Sequence, residues 1–344
     1  DQERLRVLHG RKRAAPAYAF EEACARAPQL DFGGDAVPSP EFIGRRTLEG
    51  HSLAEIAEYI DWTFFFHAWE IRGKYPDVLQ HPTRGKAARE LFDDARKLLS
   101  EIIEQGSLTA NAVYGFWPAA RQGEGIALYG DEGRSQQVAH FPMLRQQKKR
   151  DDDGPCRSLA DFVAPADAGV ADHVGAFAVT VGIGADDLAK RYEDAHDDYH
   201  AIMVKALADR MAEAFAELLH RRVRLEWGYG EGENLTNEEL IAEKFRGIRP
   251  AFGYPACPDH LPKRTLFSLL DAPAVGIELT DSCAMAPAAS VSGLYFAHPE
   301  SRYFTVGPIQ RDQVEAYARD SGLSTAEAEK WLAPNLGYEP DTKQ

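Results

Sequence analysis

Strand-forming runs in this chain come in neighbouring groups set between helices, and that order excludes a strict βαβ series. Ala112-Val-Tyr-Gly-Phe-Trp117, Gly125-Ile-Ala-Leu-Tyr129 and Val138-Ala-His-Phe141 follow one another after Gly106. Ala176-Phe-Ala-Val-Thr-Val181 is the strongest strand pattern. Ser290-Val-Ser-Gly-Leu-Tyr-Phe296 and Arg302-Tyr-Phe-Thr-Val306 read as a pair joined by His298-Pro-Glu-Ser301. Between these groups lie helices. Ser52-Leu-Ala-Glu55 is a capping box ahead of Leu53, Ile56, Ala57 and Ile60 at helical spacing. Residues 85–104 form an amphipathic helix, apolar at Leu91, Ala95, Leu98, Leu99 and Ile102. The segment from Asp186 to about Leu225 contains the longest helix. Thr236-Asn-Glu-Glu239 caps a short one, and Asp312 and Ser324 cap two more at about 311–320 and 325–333. The pattern predicts an α+β fold with an antiparallel sheet.

A length of 344 residues allows one large domain or two to three smaller ones, and 44% apolar residues suffice for a sizeable core. The net charge of −15 argues against general nucleic-acid binding, since nothing would neutralise phosphates over a wide surface. The longest apolar run, Val174 to Ala185, is too short for a bilayer, which needs roughly 20 apolar residues. No membrane partner and no signal peptide are read. Cys24, Cys156, Cys257 and Cys283 are far apart and form no CxxC pair. That fits a reducing cytoplasm without a disulfide framework or structural zinc cluster. Residues 1–45 read as a lead-in segment, a charged helix broken by Pro16, Pro28, Gly33, Gly34, Pro38 and Pro40. Starting at Asp1, the chain reads as a piece of something longer.

The densest constraint on function is Arg249-Pro-Ala-Phe-Gly-Tyr-Pro255, followed by Ala256-Cys-Pro-Asp-His260. Pro250 and Pro255 fix φ and donate no N–H, and Gly253 can turn where other residues cannot. An Arg fork on such a rigid loop suits a carboxylate or phosphate. Other candidates are weaker. Gly182-Ile-Gly184 lies between a strand and a helix, but it lacks the third glycine of a dinucleotide fingerprint and reads as a tight turn. His196 and His200 are four apart on a helix, a spacing that can serve zinc, but HExxH is absent and an acidic helix start explains them. Asp61 falls at the far end of the helix begun by Ser52, facing the negative end of its dipole. A functional carboxylate and a structural salt bridge remain equal readings for it. Glu213 lies off the apolar face of the long helix and reads as solvated, and Glu243 is ordinary by itself. Tyr303 reads as a packing tyrosine in a strand. There is no Gly-x-Ser-x-Gly elbow, no P-loop and no Asp-x-His-x-x-Gly corrinoid motif.

Many segments together carry a resemblance: Tyr59-Ile-Asp-Trp62, Gly73-Lys-Tyr-Pro76, Gly115-Phe-Trp-Pro118, Ile202-Met-Val-Lys-Ala-Leu207, Asp209-Arg-Met-Ala-Glu-Ala-Phe-Ala-Glu217, Gly247-Ile-Arg-Pro250, Gly253-Tyr-Pro255, Ser290-Val-Ser-Gly293 and Trp331-Leu-Ala-Pro-Asn-Leu-Gly-Tyr338. In this order they resemble the C-terminal activation domain of cobalamin-dependent methionine synthase, from about residue 40 to 340. The resemblance implies a curved single α+β domain, residues 36–344, with a central twisted antiparallel sheet and flanking helices, non-Rossmann. Residues 1–35 resemble the linker from an upstream cobalamin-binding module. The implied activity is binding S-adenosylmethionine as methyl donor when the cobalamin has oxidised to Co(II). Flavodoxin or a diflavin reductase supplies one electron, and the methyl group then restores methylcobalamin. The cobalamin module is the implied partner within the same polypeptide, and zinc belongs to another absent module.

Carried onto this chain, the resemblance assigns the ligand's α-carboxylate to Arg249 and its ammonium to Asp61. Glu213 and Glu243 become acidic neighbours. Backbone at Ala251 and Gly253, with Tyr254, should hold the ligand, and Tyr303 should lie near its reacting end. Phe304 stands where the family often has Tyr, so a hydroxyl is lost there. Phe252 stands where the family has Pro, and it either loosens the loop or faces the adenine. Alignment of reactants is the expected task, so no catalytic residue and no metal ligand are assigned. The alternative is a docking module that seats the reductase and caps the cobalamin without binding S-adenosylmethionine. Arg145, Lys148, Lys149 and Arg150 would then form its basic patch, against the plainer reading of Lys148–Pro155 as a solvated loop.

Overall fold

The computed structural model describes residues 16–236, 239–240 and 242–341. In chain order it contains α1 (Phe20–Ala25), β1 (Gly44–Leu48), α2 (Leu53–Ala57), α3 (Trp62–Ala68) and α4 (Gly85–Gln105). Then come β2 (Thr109–Gln122), β3 (Gly125–Tyr129), β4 (Gln137–Pro142) and β5 (Asp172–Ile183). Helices α5 (Ala185–Asp194), α6 (Asp198–Glu226) and α7 (Pro262–Leu270) follow. The short pair β6 (Glu278–Leu279) and β7 (Met285–Ala286), β8 (Ser290–Tyr295), α8 (Arg311–Ser321) and α9 (Thr325–Trp331) complete the order.

The main sheet runs β4-β3-β2-β5-β8, with β1 also on β2. Every pairing in it is antiparallel. β5 occupies one edge of β2, while β1 and β3 share the other, β1 against residues 112–116 and β3 against 119–122. The sheet is covered on both faces, which explains the near-continuous apolar sequence of β5. Phe177, Val179 and Val181 point into a core shared with α2 to α6, whereas Val174, Ala176 and Ala178 point into a second core under α7. This alternation is the period-2 geometry of a strand. The α+β reading with a central antiparallel sheet therefore holds.

Several local expectations are corrected. The segment from Asp186 to Leu225 does contain the longest described helix, α6, but the chain turns before it at His196 with φ 58°, and Asp197 caps α6 by accepting from the His200 N–H. His196 and His200 thus do not share a helix face. Residues 302–306 form no strand. Their neighbour is the proline-bearing loop, to which Val306 N–H donates at Pro255 O. Prolines there cannot return the alternating donors that a ladder needs. Asp312 is not a cap: Gln310 holds that position, and the Asp312 carboxylate accepts from Phe20 N–H and Gln147 Nε2. Ser324 does form the expected capping box with Glu327. Thr236 accepts from Glu239 N–H as a cap would, and the rest of that expectation falls partly on residues outside the described ones. Gly184 turns the chain between β5 and α5 at φ 90°, which confirms the tight-turn reading.

Residues 16–35 pack on the rest of the chain, with Tyr18 and Ala23 buried beside Cys156. Among the described residues no helix is long and apolar enough to cross a membrane.

Candidate functional site

Helix α2 ends at Ala57, sooner than its pattern suggests, and a new helix starts at Trp62. Asp61 is therefore the N-cap of α3, accepting from Thr63 N–H at 2.8 Å, and not the last residue of a longer helix. The dipole argument reverses, since a carboxylate at an N-terminus is favoured. Only one of its oxygens is used in this cap, and Asp61 lines a cavity of about 510 Å³.

The facing wall is α6. Arg210, Glu213 and Glu217 follow one stripe of that helix and enter the same cavity, as do Glu243 and Arg249. The sequence carried a signal for this: a polar stripe spaced i, i+3, i+7, continued by His220, set among the apolar positions of the helix between Met211 and Leu219. Glu217, His220 and Arg210 are not among the candidates above, because the stripe shows only when the helix positions are read together. Glu213 is not solvated but half-buried, and burial raises its pKa against the opposing pull of Arg210 and Arg249.

The loop that carries Arg249 is braced on both sides. Ile248 pairs with Phe296, and Leu294 N–H donates to Pro250 O, so the loop is laid along the edge of β8 that β5 leaves unpaired. Gly253 N–H donates to Cys257 O at 2.8 Å, and Cys257 Sγ donates to Ala251 O at 3.0 Å. At Gly253, φ is 93° and an added Cβ would lie 2.1 Å from the His260 ring, so only glycine fits. Its N–H is already engaged, and Gly253 is not among the residues lining either cavity here. Its part is to shape the loop.

Phe252 does not face the cleft. The ring is 2% exposed, stacks on Phe141 at 5.5 Å and belongs to the core under α7.

A second cavity of about 490 Å³ adjoins the first. Glu213, Glu243, Arg249 and Tyr254 line both, so the two form one cleft. Ala251, Tyr303 and Phe304 complete the second part. Tyr254 and Tyr303 are exposed, and Phe304 packs edge-on to Phe162. The Tyr303 hydroxyl accepts from Arg249 N–H.

The Arg249 side chain is held from behind. Its Nη2 lies 2.7 Å from Glu217 Oε2 and its Nη1 3.3 Å from His220 Nδ1. Burial disfavours its charge, but Glu217, Tyr303, Glu243 and Tyr295 together outweigh that and the guanidinium's pKa is raised. Burial also raises the Glu217 carboxyl, with Arg249 opposing. His220, fully buried between Arg249 and Arg224, has its pKa pushed well below the ordinary imidazole value, first by burial.

The basic patch is only partly as expected. Arg145 is fully buried and paired with Asp161 and Glu124. Lys148, Lys149 and Arg150 are exposed, the last paired with Asp152.

The model for the activation domain of vitamin B12 dependent methionine synthase matches residues 52–322. A solved structure described as "Crystal Structure of the MetH Reactivation Domain bound to AdoHcy" superposes with a TM-score of 0.91 at 48% identity. That match covers 94% of this chain and 100% of the other.

Proposed function

The chain belongs to the activation-domain family of vitamin B12-dependent methionine synthase, and on that premise we propose that its cleft binds S-adenosylmethionine as methyl donor for the reductive methylation of inactive cob(II)alamin to methylcobalamin. The observation that carries this reading is the meeting of Asp61 and Arg249, an anion and a cation from distant parts of the chain, in one cavity. An amino-acid zwitterion needs one partner of each sign. Arg249 takes the α-carboxylate and Asp61 the ammonium. Asp61, Glu213, Glu217 and Glu243 outnumber Arg210 and Arg249 around that cavity, which suits a ligand that also carries a sulfonium cation. The adjoining part of the cleft, with Ala251, Tyr254, Tyr303 and Phe304, receives the rest of the ligand. The relative that carries AdoHcy supports the reading, because S-adenosylhomocysteine shares the amino-acid and adenosyl ends.

The corrinoid supplies the nucleophile, and a sulfonium is a competent methyl donor, so this chain contributes orientation and the exclusion of misaligned approach. None of its residues acts as a general base. In this reading the domain is part of a methyltransferase that sustains methionine synthesis from homocysteine. Residues 1–35 lead in from the cobalamin module, and flavodoxin or a diflavin reductase supplies the electron. The exposed Lys148 and Lys149 favour a docking role for that face in addition to ligand binding.

Calorimetric titration of the chain with S-adenosylmethionine tests the proposal. Wild type should bind, and Arg249→Ala and Asp61→Asn should each bind more weakly. Absence of binding by wild type rejects the function, and unchanged binding in both variants rejects the site.

A further inference from the structure

We propose that Glu217 is a positioning residue, which fixes the Arg249 guanidinium from behind so that it meets the ligand's carboxylate in one orientation. The inference rests on the reading that Arg249 takes that carboxylate.

Glu217 differs from the other acidic residues of the cleft. It is 5% exposed, and its Oε2 is turned to Arg249 Nη2 at 2.7 Å. Its Oε1 makes no hydrogen bond among the described residues, so Arg249 is the partner that holds this carboxylate. One helical turn further on, His220 reaches the same guanidinium through Nδ1. Arginine has no acceptor, so Nδ1 must be the acceptor and the ring proton sits on Nε2. The ring is itself packed on both sides, stacked on Tyr295 at 5.0 Å and edge-on to Phe245 at 4.8 Å. The backbone of Arg249 is tied separately, through its N–H to Tyr303. Both ends of a long, otherwise rotatable side chain are thus fixed before any ligand arrives. Preorganisation of this kind removes an ordering cost from binding. Neither side-chain contact uses Nε, which leaves donors of the planar fork for a carboxylate.

Two variants separate reach from charge. Glu217→Gln keeps the reach and an acceptor oxygen but loses the charge. Glu217→Asp keeps the charge and withdraws it by one methylene. Affinities of both variants and wild type are measured calorimetrically for S-adenosylhomocysteine and for 5′-methylthioadenosine, which lacks the amino-acid end. Positioning predicts that Glu217→Asp weakens S-adenosylhomocysteine roughly tenfold, Glu217→Gln by no more than about threefold, and neither changes 5′-methylthioadenosine beyond about twofold. The proposal is overturned if Glu217→Asp binds S-adenosylhomocysteine like wild type, if both ligands weaken equally, or if Gln loses as much as Asp. An unfolded Glu217→Asp would place the pair in stability and overturn it too. Failure of wild type to bind S-adenosylhomocysteine is a different result, which removes the ligand reading itself.

Discussion

The hydroxyl of Tyr303 accepts a hydrogen bond from the backbone N–H of Arg249 at 3.1 Å. This joins the loop that carries Arg249 to the segment after β8. Tyr303→Phe removes the acceptor and leaves that N–H to water. A neutral hydrogen bond contributes about 1 kcal/mol net. The expected outcome is a fall of roughly fivefold in S-adenosylmethionine affinity with the fold intact. Affinity equal to wild type would mean that the bond does not hold the loop.

Phe252 has a stability role. Truncating a buried aromatic ring costs about 3–5 kcal/mol. Phe252→Ala should lose stability on that scale in urea denaturation. Its ligand affinity at low temperature should stay near that of wild type, because the ring faces Phe141 and not the cleft. A selective loss of affinity without loss of stability would put the ring at the ligand.

The broad architecture was legible because it depends on patterns summed over many residues. The near-continuous apolar run of β5 and the grouping of strands both point to a covered antiparallel sheet. Single-residue environments were less legible. Asp61 was assigned to the wrong end of a helix because apolar spacing continues to Ile60, past the actual helix end at Ala57. Arg145 looks like its basic neighbours in sequence, yet it is buried against Asp161 and Glu124. Arg249 was found from its loop, whereas its partner Glu217 needed the packing of α6 to be recognised.

His220 makes stability pH-dependent in a definite direction. Unfolded, an imidazole titrates near about 6.5. Folded, burial and the flanking Arg249 and Arg224 hold it well below that, with the ring packed against Tyr295 and Phe245. As pH falls through about 6.5, the unfolded state takes up a proton that the folded state refuses, so stability falls by at most about 1.4 kcal/mol per pH unit. Glu213 and Glu217, whose folded pKa values are raised, work the opposite way, and their contribution is lost as pH rises. Comparing wild type with His220→Gln from pH 7.5 to 5.5 isolates the imidazole. Wild type should lose more stability over that window, and parallel curves would contradict a buried neutral His220.

The exposed Lys148 and Lys149 define a test of reductase docking. Reversing both charges should weaken association with flavodoxin, and the wild-type affinity should fall with added salt. Association that ignores both changes would move the docking face elsewhere. Arg145 is no part of this test, since its charge is buried.

The most direct measurement is a crystal structure of the chain with S-adenosylmethionine bound. The ligand's α-carboxylate should lie within hydrogen-bonding distance of the Arg249 guanidinium, about 2.7–3.2 Å, with its ammonium at Asp61 and Glu217 still against the far side of Arg249. A ligand bound outside this cleft, or one whose amino-acid end contacts neither Arg249 nor Asp61, would contradict the assignment.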